Sequence, residues 1–373
     1  MVEKKEHYIG IMSGTSLDGV DVVLCEINAK ECKLIHAIEL PFPSELKAEL
    51  LWMISGEKIT LEEMGRTDHS LAILFAEAIS ALMVPRKIKS SSIRAIGLHG
   101  QTLWHDPSGK YPFTMQLGDA NILAAKTGIS VVADFRRKDV ALGGQGAPLA
   151  PAFHEFIFDN INKALAVVNI GGMANITVLG DTLIGYDTGC GNVLMDTWIS
   201  KQKSVAFDKD GAWARSGEVN QELLDVMLLD SYFSQSYPKS TGREKFNLSW
   251  VEDAFGQDQG TSIDLDTKLV DVIEAKNIQR TLLELTALSI SNEVLKFDRD
   301  VVLLCGGGAK NTFLVERIQA LLPQIEVNIA QNADEIEAMT FAWLAYKRIH
   351  EEKINLKDVT GARKNTILGA VYA

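Results

Sequence analysis

The chain has 373 residues, enough for two domains, and a 46% hydrophobic composition, enough to fill sizeable cores. Lys and Arg number 37 against 49 Asp and Glu, a net charge of −12 with no long basic run, which argues against a nucleic-acid partner. Cys25, Cys32, Cys190 and Cys305 show no metal or redox spacing, no apolar run spans a membrane, and the charged Met1–His7 segment lacks a signal-peptide core, so a reducing, cytoplasmic setting without membrane attachment is expected.

Tyr8–Met12, Val20–Ile27 and Leu34–Leu40 read as strands. Between the first two lies Gly14-Thr15-Ser16-Leu17-Asp18-Gly19-Val20-Asp21. Glycines let main-chain N–H groups approach an anion, and the Ser13, Thr15 and Ser16 hydroxyls add donors. A neighbouring carboxylate such as Asp18 can hold Mg²⁺ through water, which suits the phosphate tail of a nucleotide. An ordinary Asp-Gly hairpin has the same spacing.

Helical periodicity follows in Ser44–Ile54 and Leu61–Leu82. Ile93–Leu98 is a buried-type strand running into His99-Gly100-Gln101-Thr102, where His99 and Gln101 read either as satisfied strand-end groups or as site residues. His105 and His154 have no ligand spacing. After a helix at Asn121–Thr127 and a strand at Ser130–Ala133 comes a charged segment holding Asp134, Arg136 and Arg137. An arginine there can bind a carboxylate in a bidentate fork, or the segment is a solvated turn. A glycine-rich loop spans Leu142–Pro148.

The second half opens in the same way. Ala164–Ile170 is an apolar strand, Gly171-Gly172 a turn and Asn175–Leu179 a returning strand. Leu183–Tyr186 leads into Asp187-Thr188-Gly189-Cys190, and a helix starts near Val193. Asp187, at a strand end, reads as a general base facing a cleft or as a turn-forming carboxylate. Lys201–Gln259 reads as loops with helical pieces, and Ile278–Lys296 as a long amphipathic helix. The strand Val301–Leu304 ends at Gly306-Gly307-Gly308, which admits a flat ligand or makes a tight connection. Ile336–Arg348 is a final helix whose start, Asp334-Glu335-Ile336-Glu337, fits a capping box, a role compatible with ligand contact by Glu337. The duplication argues for an α/β class with domains at 1–155, joined by a returning segment from about 350 to 373, and at 156–349.

Gly14–Asp21 resembles the nucleotide-phosphate signature of the anhydro-N-acetylmuramic acid kinases. Further blocks in matching order are Leu98–Thr102, Gln116–Asp119, Ala133–Arg137, Gly143–Pro148, Asn169–Asn175, Asp187–Gly189, Asp208–Gly211, Gly306–Gly308 and Ile367–Gly369. The resemblance implies a two-domain actin-like ATPase (hexokinase-like) fold with a central cleft for MgATP and an amino sugar, and a homodimer. It also implies hydrolytic opening and O6 phosphorylation of 1,6-anhydro-N-acetylmuramic acid, in cell-wall sugar recycling. On that reading the 14–21 loop, Gly171, Gly172 and Gly306–Gly308 face ATP, Asp18 faces Mg²⁺, and Asp187 is the base. His99, Gln101, Asp134, Arg136, Arg137 and Glu337 are candidates for the sugar, with Arg136 or Arg137 on its lactyl carboxylate. Cys190 replaces the proline usual after Asp-Thr-Gly in the family, either as a simple replacement or as a reactive thiol. Alternatives are a kinase for another small molecule on this fold, or a nucleotide-driven switch or filament former. A dinucleotide dehydrogenase is disfavoured, since no early strand leads into Gly-x-Gly-x-x-Gly.

Overall fold

The computed structural model describes residues 5–14, 17, 19–56, 58–159, 161, 163–259 and 273–373. The chain divides into two compact units, Met1–Asn160 with Glu335–Ala373, and Ile161–Asp334.

The first unit opens with β1 (Glu6–Ser13), β2 (Gly19–Ile27) and β3 (Cys32–Pro41), paired antiparallel in sequence. β4 (Ile93–Leu98) lies parallel to β1. A separate hairpin of β5 (Gln101–Asp106) and β6 (Phe113–Leu117) follows, and β7 (Val131–Ala133) returns to the sheet parallel to β4. The second unit repeats the plan. β8 (Leu165–Ile170), β9 (Met173–Val178) and β10 (Ile184–Cys190) form an antiparallel meander, β11 (Val301–Cys305) lies parallel to β8, and β12 (Glu326–Ile329) parallel to β11. Both sheets run in the spatial order third, second, first, fourth, fifth, so the duplication read from the glycine turns extends to strand topology. β13 (Ala370–Tyr372) closes the first sheet antiparallel to β7.

Local sequence explains most elements. Every residue of β8 is buried, as expected of a strand covered on both faces that is apolar but for Asn169. The Leu61–Met83 helix starts in a reciprocal Thr60–Glu63 capping box and buries Leu71, Leu74, Phe75, Ile79 and Leu82 on one stripe. The Ala275–Val294 helix buries Ile278, Leu282, Leu285 and Ile290 against the second core. Among the described residues no helix is long and apolar enough to cross a membrane.

The final long helix, Ile336–Ile349, departs from expectation. It was expected in the second domain, but it belongs to the first unit and packs on β1, β2 and β4. Gly10 of β1 and Gly97 of β4 are paired in register. A Cβ on Gly10 would lie 1.9 Å from the Ala338 carbonyl oxygen, and one on Gly97 1.9 Å from that of Phe341. The two glycines form a bare patch that seats the helix backbone against the sheet. The capping box expected at its start is absent. The N-cap is Glu335 with no side-chain cap, and Asp334 pairs with Lys310 at 2.9 Å.

Candidate functional site

In the second unit, β10 runs through Asp187 to Cys190, and its register against β9 shifts between Asp187 and Gly189. Such an irregularity re-aims a side chain without breaking the strand. Asp187 is gripped from three directions by the 232–241 segment. Its N–H donates to the Lys239 carbonyl at 3.1 Å, and its carbonyl accepts from Tyr232 Oη at 2.7 Å. Its Oδ2 accepts from the Thr241 N–H at 3.0 Å. Among the described residues Oδ1 has no protein partner. Thr241 Oγ1 is buried and likewise unpartnered.

The carboxyl keeps some solvent exposure but is enclosed closely enough that burial pushes its pKa up to about 7, against the opposing pull of the Thr241 N–H. Glu244 adds to the rise, and the Lys239 ammonium offsets only a little of it. That ammonium is engaged elsewhere, on Glu293 Oε1 at 2.7 Å and the Tyr232 carbonyl at 3.2 Å. A carboxyl that titrates near neutrality can accept a proton from water at working pH.

The glycine turns of this unit divide into packing and open positions. The carbonyls of Gly171 and Gly172 accept from the N–H groups of Asn192, Gly191 and Val193, tying the β8–β9 turn to the end of β10. Gly306 has φ 78°, and a Cβ there would lie 2.3 Å from Asn169 Oδ1. One on Gly308 would lie 2.3 Å from Ile170 Cγ2. Both are required by the seat on β8, while Gly307 is exposed with open space around it. Cys190 ends β10 opposite Met173 and is buried, and that burial pushes its thiol up to about 12, which argues against a reactive thiol there.

In the first unit, Thr15, Ser16 and Asp18 lie outside the described residues. The β1–β2 register pairs Ser13 with Val20 and Met12 with Asp21, so the glycine turn does cap a hairpin. Leu17 and Val20 bury their side chains completely and can serve a ligand only through the backbone, where the Leu17 N–H already donates to Gly14. Gly19 makes room for Glu39, whose carboxylate would lie 2.5 Å from a Cβ. Asp21 is half-buried on β2.

A second polar cluster forms beside β4. Arg136 donates from Nε and Nη2 to His99 Nε2, at 3.2 and 2.8 Å, and from Nη1 to the Gly146 carbonyl at 2.7 Å. Burial lowers Arg136 to about 10, opposed by the nearby charges of Glu337 and Asp139. His99 is held well below its ordinary value by burial and by Arg136, and stays neutral. Its ring lies 4.7 Å from that of Phe341, on the helix seated by Gly10 and Gly97. That seating is what brings Glu337 to Arg136. Asp139, buried, accepts from the Gly146 N–H at 2.7 Å and Thr360 Oγ1 at 2.9 Å, fixing the glycine-rich loop. Gln101 is fully buried and accepts from the Ser13 hydroxyl.

Arg137 is placed differently. Its side chain is 59% exposed and only 3.6 Å from Asp134, which sits at φ 59°. It lines a cavity of about 440 Å³ together with Phe113, Thr114 and Arg363. Asp187, Arg136 and Glu337 were named from the sequence, whereas Tyr232, Lys239, Thr241, Glu244 and Glu293, which the structure places around Asp187, were not. The only local cue was the small, polar Ser240-Thr241-Gly242 run, which resembles any loop.

The family model described as anhydro-N-acetylmuramic acid kinase matches residues 6–373. A protein of Sulfurovum sp. (strain NBC37-1) bearing that name is 62% identical over 368 residues, 99% of each chain. One from Sulfurimonas denitrificans is 49% identical over 371 residues, 98% of this chain and 99% of its own. Among solved structures, the activator of the 2-hydroxyisocaproyl-CoA dehydratase from Clostridium difficile with bound ADPNP aligns at TM-score 0.47 and 12% identity, over 92% of this chain and 96% of that one. The match from β1 to the last strand, with relatives covered end to end, places this chain in the anhydro-N-acetylmuramic acid kinase family.

Proposed function

We propose that the chain is the kinase that uses ATP and water to open the 1,6-anhydro ring of 1,6-anhydro-N-acetylmuramic acid and phosphorylate O6, giving N-acetylmuramic acid 6-phosphate and ADP. The observation that carries the mechanism is Asp187, a carboxyl held by main-chain groups, raised to about 7 and left with one unpartnered oxygen among the described residues.

The substrate has no free O6, since that oxygen is bonded to C1, so deprotonating a sugar hydroxyl accomplishes nothing. Asp187 takes a proton from water instead. The water oxygen bonds to C1, the C1–O6 bond breaks with its electron pair on O6, and O6 displaces ADP from the γ-phosphorus. Positive character at C1 is that of glycoside hydrolysis. Negative charge on the phosphoryl oxygens is met by main-chain N–H groups of the 14–21 turn.

The lactyl carboxylate is received by the Arg136–Arg137 pair. Arg136 is anchored on His99 and Gly146, and Arg137 is the freer of the two. Gln101, Asp134 and Glu337 complete the polar lining. Among the described residues no group of three His, Cys, Asp or Glu forms a metal cage. That fits Mg²⁺ arriving on nucleotide phosphates, which needs only one or two carboxylates and waters, with Asp18 and Asp21 the acids of the turn. When bound, Mg²⁺ supplies charge neutralisation at the phosphates. A cytoplasmic homodimer serving cell-wall sugar recycling is part of this reading.

The test is turnover in ¹⁸O water with MgATP. Label at C1 of a 6-phosphorylated product is expected; label confined to phosphate, or a 6-phosphate formed only from the open sugar, sinks the proposal.

A further inference from the structure

Asp187 sits in a closed ring of hydrogen bonds. Its carbonyl accepts from Tyr232 Oη at 2.7 Å, and the Tyr232 carbonyl accepts from Lys239 Nζ at 3.2 Å. Lys239 Nζ also donates to Glu293 Oε1 at 2.7 Å. Glu293 Oε2 accepts from Tyr186 Oη at 2.9 Å, and Tyr186 is the residue before Asp187. The Lys239 carbonyl in turn accepts from the Asp187 N–H. Lys239, like Tyr232, touches this ring through both its backbone and its side chain, and it alone of the two carries the charge that meets Glu293.

The side chains of Lys239 and Glu293 are only 2% and 4% exposed. A buried ion pair adds little net stability over apolar residues of the same shape, because desolvation offsets the attraction. Its presence on the segment that grips the base calls for another role. Glu293 projects from the Ala275–Val294 helix, a rigid element of the second core. The pair thus fastens the 239–241 segment to that helix, and this segment presents the Thr241 N–H to Asp187 Oδ2.

We propose that Lys239 is a positioning residue for this reaction: its buried ammonium, locked to Glu293, holds the segment whose main-chain groups orient Asp187. The inference rests on Asp187 being the base. The same lock keeps Lys239 from neutralising Asp187 by direct pairing. The charged and titratable groups around this centre are Glu244, Lys239, Glu293, Lys296, Tyr186, Tyr232, Tyr237 and Cys190.

The test compares Lys239→Met, Lys239→Arg and Asp187→Asn for kcat, both KM values, the pH dependence of kcat and Tm. In Lys239→Met, Glu293 keeps Lys296 and Tyr186 as partners. A kcat loss of about 10–100-fold is expected, the scale of a roughly 1 Å misplacement, with KM values within about threefold. The acidic limb of kcat should move to higher pH, because a nearby positive charge and a well-placed N–H donor are both lost. Lys239→Arg should recover part of the rate. Full kcat with an unmoved acidic limb and a lowered Tm overturns the proposal in favour of a structural role. If Lys239→Met fails to fold, Lys239→Met/Glu293→Gln removes both charges. That pair should fold and still show the lowered kcat, and full kcat in it overturns the proposal. An active Asp187→Asn brings down the base assignment and this inference with it. An inactive Asp187→Asn beside an unaffected Lys239→Met overturns the positioning role alone.

Discussion

The two units share one sheet topology but treat their buried charges in opposite ways. In the second, a carboxyl is enclosed while the nearest ammonium is engaged by Glu293, so Asp187 rises to about 7 and stays available as a base. In the first, a guanidinium is enclosed and anchored on a neutral histidine and a carbonyl, with Glu337 and Asp139 near enough to keep Arg136 charged although burial lowers it to about 10. One unit withholds a counter-charge from its enclosed group, the one proposed as the base. The other supplies counter-charges to its enclosed group, the one proposed to bind substrate. Environment, and not residue type, sets the charge state of each.

The sharpest way to break that contrast is Asp187→Asn, which keeps the shape and the Thr241 contact but removes the base. Turnover should fall by about 10²–10⁴-fold or more. A variant within threefold of the parent ends the assignment.

Gly10→Ala should act on stability instead, because the new Cβ would lie 1.9 Å from the Ala338 carbonyl oxygen, and backbone cannot yield as a side chain does. A loss of about 3 kcal/mol or more is expected in denaturant unfolding, at the upper end of overpacking costs. An unchanged midpoint would mean the helix is not seated where the bare patch places it.

The pH dependence of stability tests the enclosed carboxyl directly. Asp187 is raised from an ordinary value of 3.8 to about 7, so between those limits the folded state holds a proton that the unfolded chain has lost. Stability from this group is therefore present below about pH 4, falls as pH rises through the window, and levels off above about pH 7. Each pKa unit is worth about 1.4 kcal/mol, and partial exposure of the residue trims the total to roughly 2–4 kcal/mol. Asp187→Asn should accordingly be more stable than the parent at pH 8 while inactive. Equal stability at pH 5 and pH 8 in both proteins would refute the enclosure. The activity limb runs the other way, with kcat rising as pH passes about 7 and the base ionises.

The smallest effect separates the two arginines. Arg137→Ala should raise the KM for the sugar about tenfold and leave Tm unchanged, since its side chain is mostly exposed. Arg136→Ala should also lower Tm, because it strips the partners from buried His99 and from the Gly146 carbonyl. Identical behaviour of the two variants would erase the distinction between anchor and contact.

The local pattern was sufficient for most elements. The apolar run at 165–170, the amphipathic stretch at 44–54 and the glycine turns each report on backbone preference and one-sided burial, which are properties of neighbouring residues. Asp187 was legible because its block stands in order with many others. The end of its strand was misjudged, with β10 continuing past Tyr186.

What tertiary structure alone decided is partnership. Which unit receives the Ile336–Ile349 helix depends on two glycines lying side by side in strands far from it in the chain. The capping box at its start was a local pattern overridden when Asp334 found Lys310. Lys239, Tyr232 and Glu293 carry no periodic or motif signal, because their significance is a set of hydrogen bonds across long sequence separations. Periodicity records which face of an element is buried. It carries no record of what that face meets, and the charge state of a buried group is set by what it meets.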